Sequence, residues 1–155
     1  MPARGSAEWR GDLTTGRGTF AAGDTISGDY SYKSRFEDGP GANPEQLIAA
    51  AHASCFSMAL SNILAQAGTT PDSVHTDATV TLRLVDGAPT IMKIELETVA
   101  RVPGLGDAAF QEQAAAAKAG CPVSKALASV PDQWPRAGWT TIRGGLSITA
   151  SQSSS

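Results

Sequence analysis

Between Asn43 and Gly68 the chain reads NPEQLIAAAHASCFSMALSNILAQAG, with Glu45 as its one charged side chain. No other stretch limits the fold as much. Asn43 is a good N-cap, Pro44 suits the first helical position, and Gly68 is placed to end the helix. Glu45 complements the positive end of the helix dipole. Leu47, Ile48, Phe56, Met58, Leu60, Ile63 and Leu64 spread around the helix instead of forming one stripe. A helix apolar on nearly every side is expected to be buried. In its middle sits Cys55, one of two cysteines.

At 155 residues the chain fits one domain, 1–155, with room for a sizeable core. It is 41% hydrophobic and 17% charged, as soluble globular proteins are, though poor in charge. The formal net charge of −3 argues against a nucleic-acid partner, which calls for a basic patch. No uninterrupted apolar run reaches the length of a membrane span, since Asn43, Glu45, Gln46, His52, Asn62 and Gln66 break the 43–68 stretch. A membrane partner is therefore not expected. The opening MPARGSAEWRGD lacks a signal-peptide core, so a cytoplasmic location is the default expectation. Two cysteines in such a chain are expected to be reduced and either catalytic or inert.

Residues 1–42 alternate in short pieces: Ala7–Trp9, Gly18–Ala22 and Ile26–Tyr32 read as three strands, with Tyr30 and Tyr32 on one face of the last. SRFEDGPGANPE then reads as a loop into the central helix, 43–68. Val74–Val85 and Ile91–Val102 alternate well and predict a long hairpin with one wet face, within 74–102. Asp86-Gly87 is a turn signal, with Ala88 and Pro89 delaying the return strand. Helices follow over 107–130: one capped by Asp107 and ending near Gly120, then a shorter one with Pro122 at its first position. In the 131–155 tail, DQWPRAGW reads as loop, WTTIRGG and LSITA as strand, and QSSS as a frayed end. The order predicts an α+β fold rather than alternating βα units.

Cys55 and Cys121 are 66 residues apart, far from any zinc-site or CxxC spacing, so a structural zinc site is not expected. By position alone Cys55 reads first as a small hydrophobe in a core helix. Cys121 stands before a helix start, where the Val123 and Ser124 amides favour a thiolate; reactive and structural roles stay open for it. Arg35 and Glu45 are the nearest opposite charges to the central helix. An arginine steadies a thiolate in an apolar pocket, and a carboxylate partner steadies the arginine. The plainer reading is a surface loop charge and a dipole complement. Arg17, between two glycines, is a second arginine able to reach an anion. Glu45 and Cys55 are ten residues apart, about 15 Å of rise on a continuous helix. They share a site only if the helix breaks or a second subunit supplies its own loop, and a homodimer is the economical answer. His52, three residues before Cys55, reads as a packing or interface residue, and His75 as solvated.

NPEQLIAAAHASCFSMALS followed by KAGCPVSKAL resembles the OsmC/Ohr family (osmotically inducible protein C and organic hydroperoxide resistance proteins). The resemblance begins at AEWRGDLTTGRGTF, includes SRFEDGPGANPEQL, and covers roughly residues 7–128. The SRFE loop and KAGCPVS bring it closer to the OsmC branch. It implies an OsmC-like α+β fold of antiparallel sheets around a buried central helix, in an intertwined homodimer. It also implies a thiol peroxidase acting on organic hydroperoxides, without a cofactor. Carried over by position, Cys55 is the peroxidatic thiol and Cys121 the resolving thiol that closes a disulfide with it. Arg35 orients the peroxide and steadies the thiolate, Glu45 holds Arg35, and a dithiol or a lipoyl protein is the reductant. The tail departs from the family pattern, since PDQWPRAGWTTIRGG stands where a short final strand usually follows. Two other readings remain: a hydrolase using Cys55 with His52 or His75, and a binding domain whose cysteines only pack.

Overall fold

The computed structural model describes residues 1–130 and the strand backbones at 139–142 and 147–150. The chain divides into two units, Met1–Leu47 and Ile48–Ser155. In the first, β1 (Gly5–Arg10), β2 (Arg17–Ala22) and β3 (Ile26–Tyr30) form an antiparallel meander in that order. Gly18 pairs with both Trp9 and Tyr30, whose rings close over it at 5.4 Å between centroids. A Cβ there would run into the Tyr30 ring, so glycine is required. The third strand stops at Tyr30, short of the expected Tyr32. The Ser31 hydroxyl accepts from the Ser34 amide at 3.1 Å, and the Ser34 hydroxyl accepts from the Ser31 amide at 2.9 Å. This reciprocal capping starts a five-residue helix, α1 (Tyr32–Phe36), across the end of the expected strand and the start of the expected loop.

Helix α2 (Pro44–Gln66) runs unbroken over 23 residues. The Asn43 side chain accepts from the Gln46 amide at 2.8 Å, and Gln46 Oε1 accepts from the Asn43 amide at 3.1 Å, closing a capping box. At the other end Gly68 has φ of 83°. Its amide donates to Ala65 at 3.0 Å while the Thr69 amide donates to Leu64 at 3.0 Å, a Schellman termination. A Cβ on Gly68 would meet no neighbour, so the cost of Gly68→Ala lies in the backbone alone. That substitution is expected to lower unfolding stability by about 1–2 kcal/mol in a urea titration, and an unchanged midpoint would contradict this ending.

The expected all-round burial of α2 holds on one side only. His52, Phe56, Leu60 and Leu64, four residues apart, form a buried stripe, whereas Met58 on the far side is 74% exposed and Leu47, Ala51 and Ser54 are also exposed. The expected absence of a stretch long enough to span a membrane does not hold for α2. A continuous 23-residue helix whose interruptions are nearly all uncharged is long and apolar enough to cross a membrane by length and composition, a test that core helices pass as well.

The second unit adds β4 (Ser73–Val85), β5 (Ala88–Arg101), α3 (Asp107–Gly120), α4 (Pro122–Ala126), β6 (Trp139–Ile142) and β7 (Ser147–Ala150). Its antiparallel sheet has the order β4-β5-β7-β6. Asp86 and Gly87 both take positive φ, 52° and 81°, giving a two-residue turn in which Val85 pairs with Ala88. The return strand therefore begins at Ala88, without the expected delay. Met92 is an extra residue at a bulge between the Leu82–Ile91 and Thr81–Lys93 pairs. Ile94, Leu96, Thr98 and Ala100 on β5 are buried while His75, Asp77 and Glu97 are exposed, which is the predicted single wet face. Gly106, rather than Asp107, is the N-cap of α3. The observed strands at 139–142 and 147–150 fall within the WTTIRGG and LSITA segments expected to be strand, while the rest of those segments, residues 132–138 of the expected DQWPRAGW loop and the frayed end lie outside the described residues.

The core of this unit joins Phe56, Leu60 and Leu64 of α2 to Leu96 and Ala100 of β5 and to Phe110 of α3. Each such large side chain contributes about 1.5–3 kcal/mol by leaving water. Cys121 belongs to the same buried cluster, and Cys55 lies against it. Packing α3 onto α2 is what brings the second cysteine to the first.

Candidate active site

Cys55 comes from the middle of α2, and Cys121 from the single residue between α3 and α4. Their sulfurs are 3.2 Å apart and both are free thiols. That separation is in contact but well beyond the length of an S–S bond. Cys121 is fully buried and Cys55 only partly so, which leaves Cys55 as the sulfur a solute can approach.

The two sulfurs titrate as a unit, in opposite directions. Burial pushes the Cys121 thiol up, but the Ser124 amide and hydroxyl, the Cys55 thiol and the Val123 amide together hold it below the ordinary thiol value. The Val123 amide pulls Cys55 down, yet burial, the hydrogen bond shared with Cys121 and the Cys121 charge leave it raised. The pair loses its first proton below the ordinary thiol range and its second above it. Thiolate absorbance of the reduced protein is expected to rise with pH in two separated steps, and one joint step at the ordinary value would contradict this.

Ser124 also meets His52, whose Nε2 lies 2.7 Å from the Ser124 hydroxyl. His52 is therefore tied to the Cys121 side of the pair through Ser124, beyond the packing role expected of it. Both residues sit on the wall of a cavity of about 370 Å³, between Ile94 on one side and Lys118, Lys125 and Leu127 on another. Neither cysteine is among the residues that line it. The Ser124 hydroxyl, unlike its amide, escaped the sequence reading, although the spacing Cys-Pro-x-Ser places it one helical turn after Cys121.

Arg35 and Glu45 form a forked ion pair within the first unit. Arg35 Nη2 lies 2.7 Å from Glu45 Oε1, and Arg35 Nε lies 3.2 and 3.3 Å from the two carboxylate oxygens. The Glu45 side chain is 9% exposed and that of Arg35 34%. The guanidinium stands 5.2 Å from the Phe36 ring centroid, a cation–π contact that helps fix its plane. Helix α1 holds this arrangement in place. The Ser34 hydroxyl donates to Ala42 O at 2.7 Å, and the Asn43 side chain donates to Ser34 O at 3.1 Å, tying α1 to the start of α2. A planar donor with a guanidinium edge still accessible can bind a small oxygen-bearing group. Arg17 opens β2 opposite Arg10 and does not share this pair. His75 is exposed, 3.3 Å from Asp77. Among the described residues no three His, Cys, Asp or Glu side chains come together to hold a metal ion.

Residues 37–134, more than half of the chain, match the family described as OsmC-like protein. The chain belongs to the OsmC-like family. It is 46% identical over 126 residues to the Peroxiredoxin OsmC of Escherichia coli (strain K12), covering 80% of this chain and 88% of that one, and matches the Shigella flexneri protein of that name equally. Among solved structures it resembles the organic hydroperoxide resistance protein OhrB of Bacillus subtilis, with a TM-score of 0.64 and 26% identity over 85% of this chain and 95% of that one. An organic hydroperoxide resistance protein from Legionella pneumophila shares the fold, with a TM-score of 0.67 and 23% identity over 83% and 93% of the two chains. The α+β architecture with two antiparallel sheets is thus that of OsmC and Ohr proteins.

Proposed function

We propose that this OsmC-like protein is a thiol peroxidase that reduces organic hydroperoxides. The observation carrying the reading is the pair of free sulfurs at 3.2 Å, one partly exposed and one buried. The relatives named peroxiredoxin and organic hydroperoxide resistance protein support the same activity. Cys55, the accessible member, attacks the terminal peroxide oxygen as a thiolate. The O–O bond breaks, the alcohol leaves with a proton, and Cys55 becomes a sulfenic acid. Cys121 then attacks the Cys55 sulfur, a disulfide forms, and the oxygen departs as water. A dithiol restores both thiols by exchange, and a lipoyl-bearing protein fits this role because its two sulfurs close their own ring. Two free thiols also suit a reducing compartment such as the cytoplasm.

In the isolated pair the lower-pKa sulfur is Cys121, so Cys55 needs a cation to draw the charge onto itself. Arg35 supplies it in this reading, with Glu45 holding the guanidinium. Glu45 and Cys55 lie on one unbroken helix ten residues apart, about 15 Å along its axis. The Arg35 that serves a given Cys55 therefore belongs to a second copy of the chain, in a homodimer with two equivalent sites. The exposed Leu47–Ala51–Ser54–Met58 side of α2 supports the dimer, since an apolar helix face is stable when covered.

Steady-state turnover tests the activity. With dihydrolipoamide as reductant, kcat/KM is expected to be at least about tenfold higher for cumene hydroperoxide than for hydrogen peroxide, one hydrophobic group being worth that much in an apolar site. Equal values would remove the substrate preference, and no turnover of either would remove the peroxidase reading.

A further inference from the structure

Ser124 is placed to serve Cys121. It stands one helical turn after Cys121 at the start of α4, where its hydroxyl favours the Cys121 thiolate, and the same hydroxyl lies 2.7 Å from His52 Nε2. His52 is 7% exposed, so this imidazole was taken out of water to face a serine one helical turn from a cysteine. A hydroxyl that bonds an imidazole and faces the thiol one turn away offers a path for one proton. It ends at the wall of the cavity of about 370 Å³, through which the imidazole can exchange that proton with solvent.

We infer that Ser124 and His52 are positioning residues for the resolving step: Ser124 relays the Cys121 proton to His52 as the disulfide closes. This rests on the peroxidase reading above. With Nε2 unprotonated, the Ser124 proton moves to His52 while the Cys121 proton moves to the Ser124 oxygen. The Cys121 sulfur is left with the electron pair that attacks Cys55. The S–S bond forms as the S–O bond of the sulfenic acid breaks. Hydroxide leaves and takes a proton from solvent to become water, and His52 returns its proton to solvent through the cavity. The net change is one sulfenic acid and one thiol giving one disulfide and one water, without any further oxidant.

The relay gives the proton of a still-protonated Cys121 a way out at the moment of attack. Buried thiols otherwise lose protons poorly, since a thiolate in apolar surroundings is disfavoured. The titratable and charged groups around this path are Cys55 and His52 from α2, Lys118 from α3 and Lys125 from α4, while β5 presents the apolar Ile94.

The test is a single turnover of reduced full-length protein with one equivalent of cumene hydroperoxide. Quenching with dimedone and a thiol alkylator, followed by mass analysis, separates sulfenic acid from disulfide. Ser124→Ala is expected to slow closure by about tenfold or more near neutral pH, with sulfenic acid accumulating. The deficit should shrink as pH rises and hydroxide removes the Cys121 proton directly. Ser124→Thr, which keeps the hydroxyl, should restore closure, and His52→Gln should flatten its pH dependence. A Ser124→Ala protein that closes like the parent at every pH overturns the relay. So does a pH-independent deficit that threonine fails to rescue, because that pattern belongs to lost packing. If the parent forms neither sulfenic acid nor disulfide, the peroxidase reading itself fails. The Cys121 titration in a Cys55→Ser background then decides the relay alone: Ser124→Ala should raise its midpoint, and an unmoved midpoint overturns the assignment.

Discussion

Cys55→Ser is expected to lower hydroperoxide turnover by about three orders of magnitude or more, whereas Cys121→Ser should fail in a different way. A serine hydroxyl at 55 cannot become the thiolate nucleophile, so no covalent intermediate forms and neither thiol count nor mass should change with peroxide. Cys121→Ser retains the accessible sulfur. It should consume one equivalent of peroxide, trap as a dimedone adduct at Cys55, and then stop for lack of the disulfide that a dithiol reduces. Its Cys55 also loses the neighbour that raises its pKa, so the first step should reach full rate at lower pH than in the parent. The contrast separates the peroxidase from a Cys55 hydrolase, in which loss of Cys121 would leave turnover intact. Both substitutions are close in volume, Cys121 within the core cluster and Cys55 against it, and larger side chains hold that core. Thermal unfolding is expected to stay within a few degrees of the parent, a shift of about 1 kcal/mol.

Removing the arginine is expected to have the second-largest effect. Arg35→Met should reduce the rate of sulfenic acid formation by about a hundredfold, the usual scale for losing one fixed donor at a developing charge. It also leaves a nearly buried Glu45 without its cation, so the variant must be shown folded before its rate is read. Arg35→Lys should rescue only in part, since a single ammonium cannot reproduce the two-pronged contact seen with Glu45. The sharper form uses mixed dimers. A chain carrying Arg35→Met keeps its cysteines, and a chain carrying Cys55→Ser keeps its arginine. Each is inactive alone. If Arg35 acts across the dimer, the hybrid contains one intact site and regains about half of the parental activity per dimer, by the independence of two equivalent sites. An inactive hybrid would mean that Arg35 serves the cysteine of its own chain.

The parts of this fold readable from sequence are those fixed by neighbours in the chain. Asn43, Pro44 and Gly68 bounded α2 because caps are local, and Asp86-Gly87 marked its turn because two positive φ values suit that dipeptide. The helix at Tyr32–Phe36 was hidden because one turn is too short for a periodic pattern; only the Ser31–Ser34 exchange of hydrogen bonds betrays it. The far side of α2 was misjudged for a different reason. Composition says that Met58 and its neighbours are apolar, but not whether one chain suffices to cover them.

The candidate site divides in the same way. Arg35 and Glu45 are ten residues apart; opposite charge made them possible partners, but the plainer reading kept them separate and the resemblance paired them. Cys55 and Cys121 are 66 residues apart, and only the packing of α3 against α2 brings their sulfurs together; no spacing rule encodes that. Their roles came from resemblance, not from periodicity. Ser124 and His52 lie at the end of that scale, since a serine in a short helix and a histidine in a long one carry no mutual signal until the fold joins them.

The central claim is that Cys55 and Cys121 form one redox unit in a single chain. It is tested most directly by adding one equivalent of cumene hydroperoxide to reduced protein and following free thiols, intact mass and the disulfide map. The account predicts loss of both thiols, a mass lower by two hydrogens, and a peptide linked through Cys55 and Cys121 within one chain. Two thiols that survive the peroxide, or a bond joining cysteines of different chains, would contradict it.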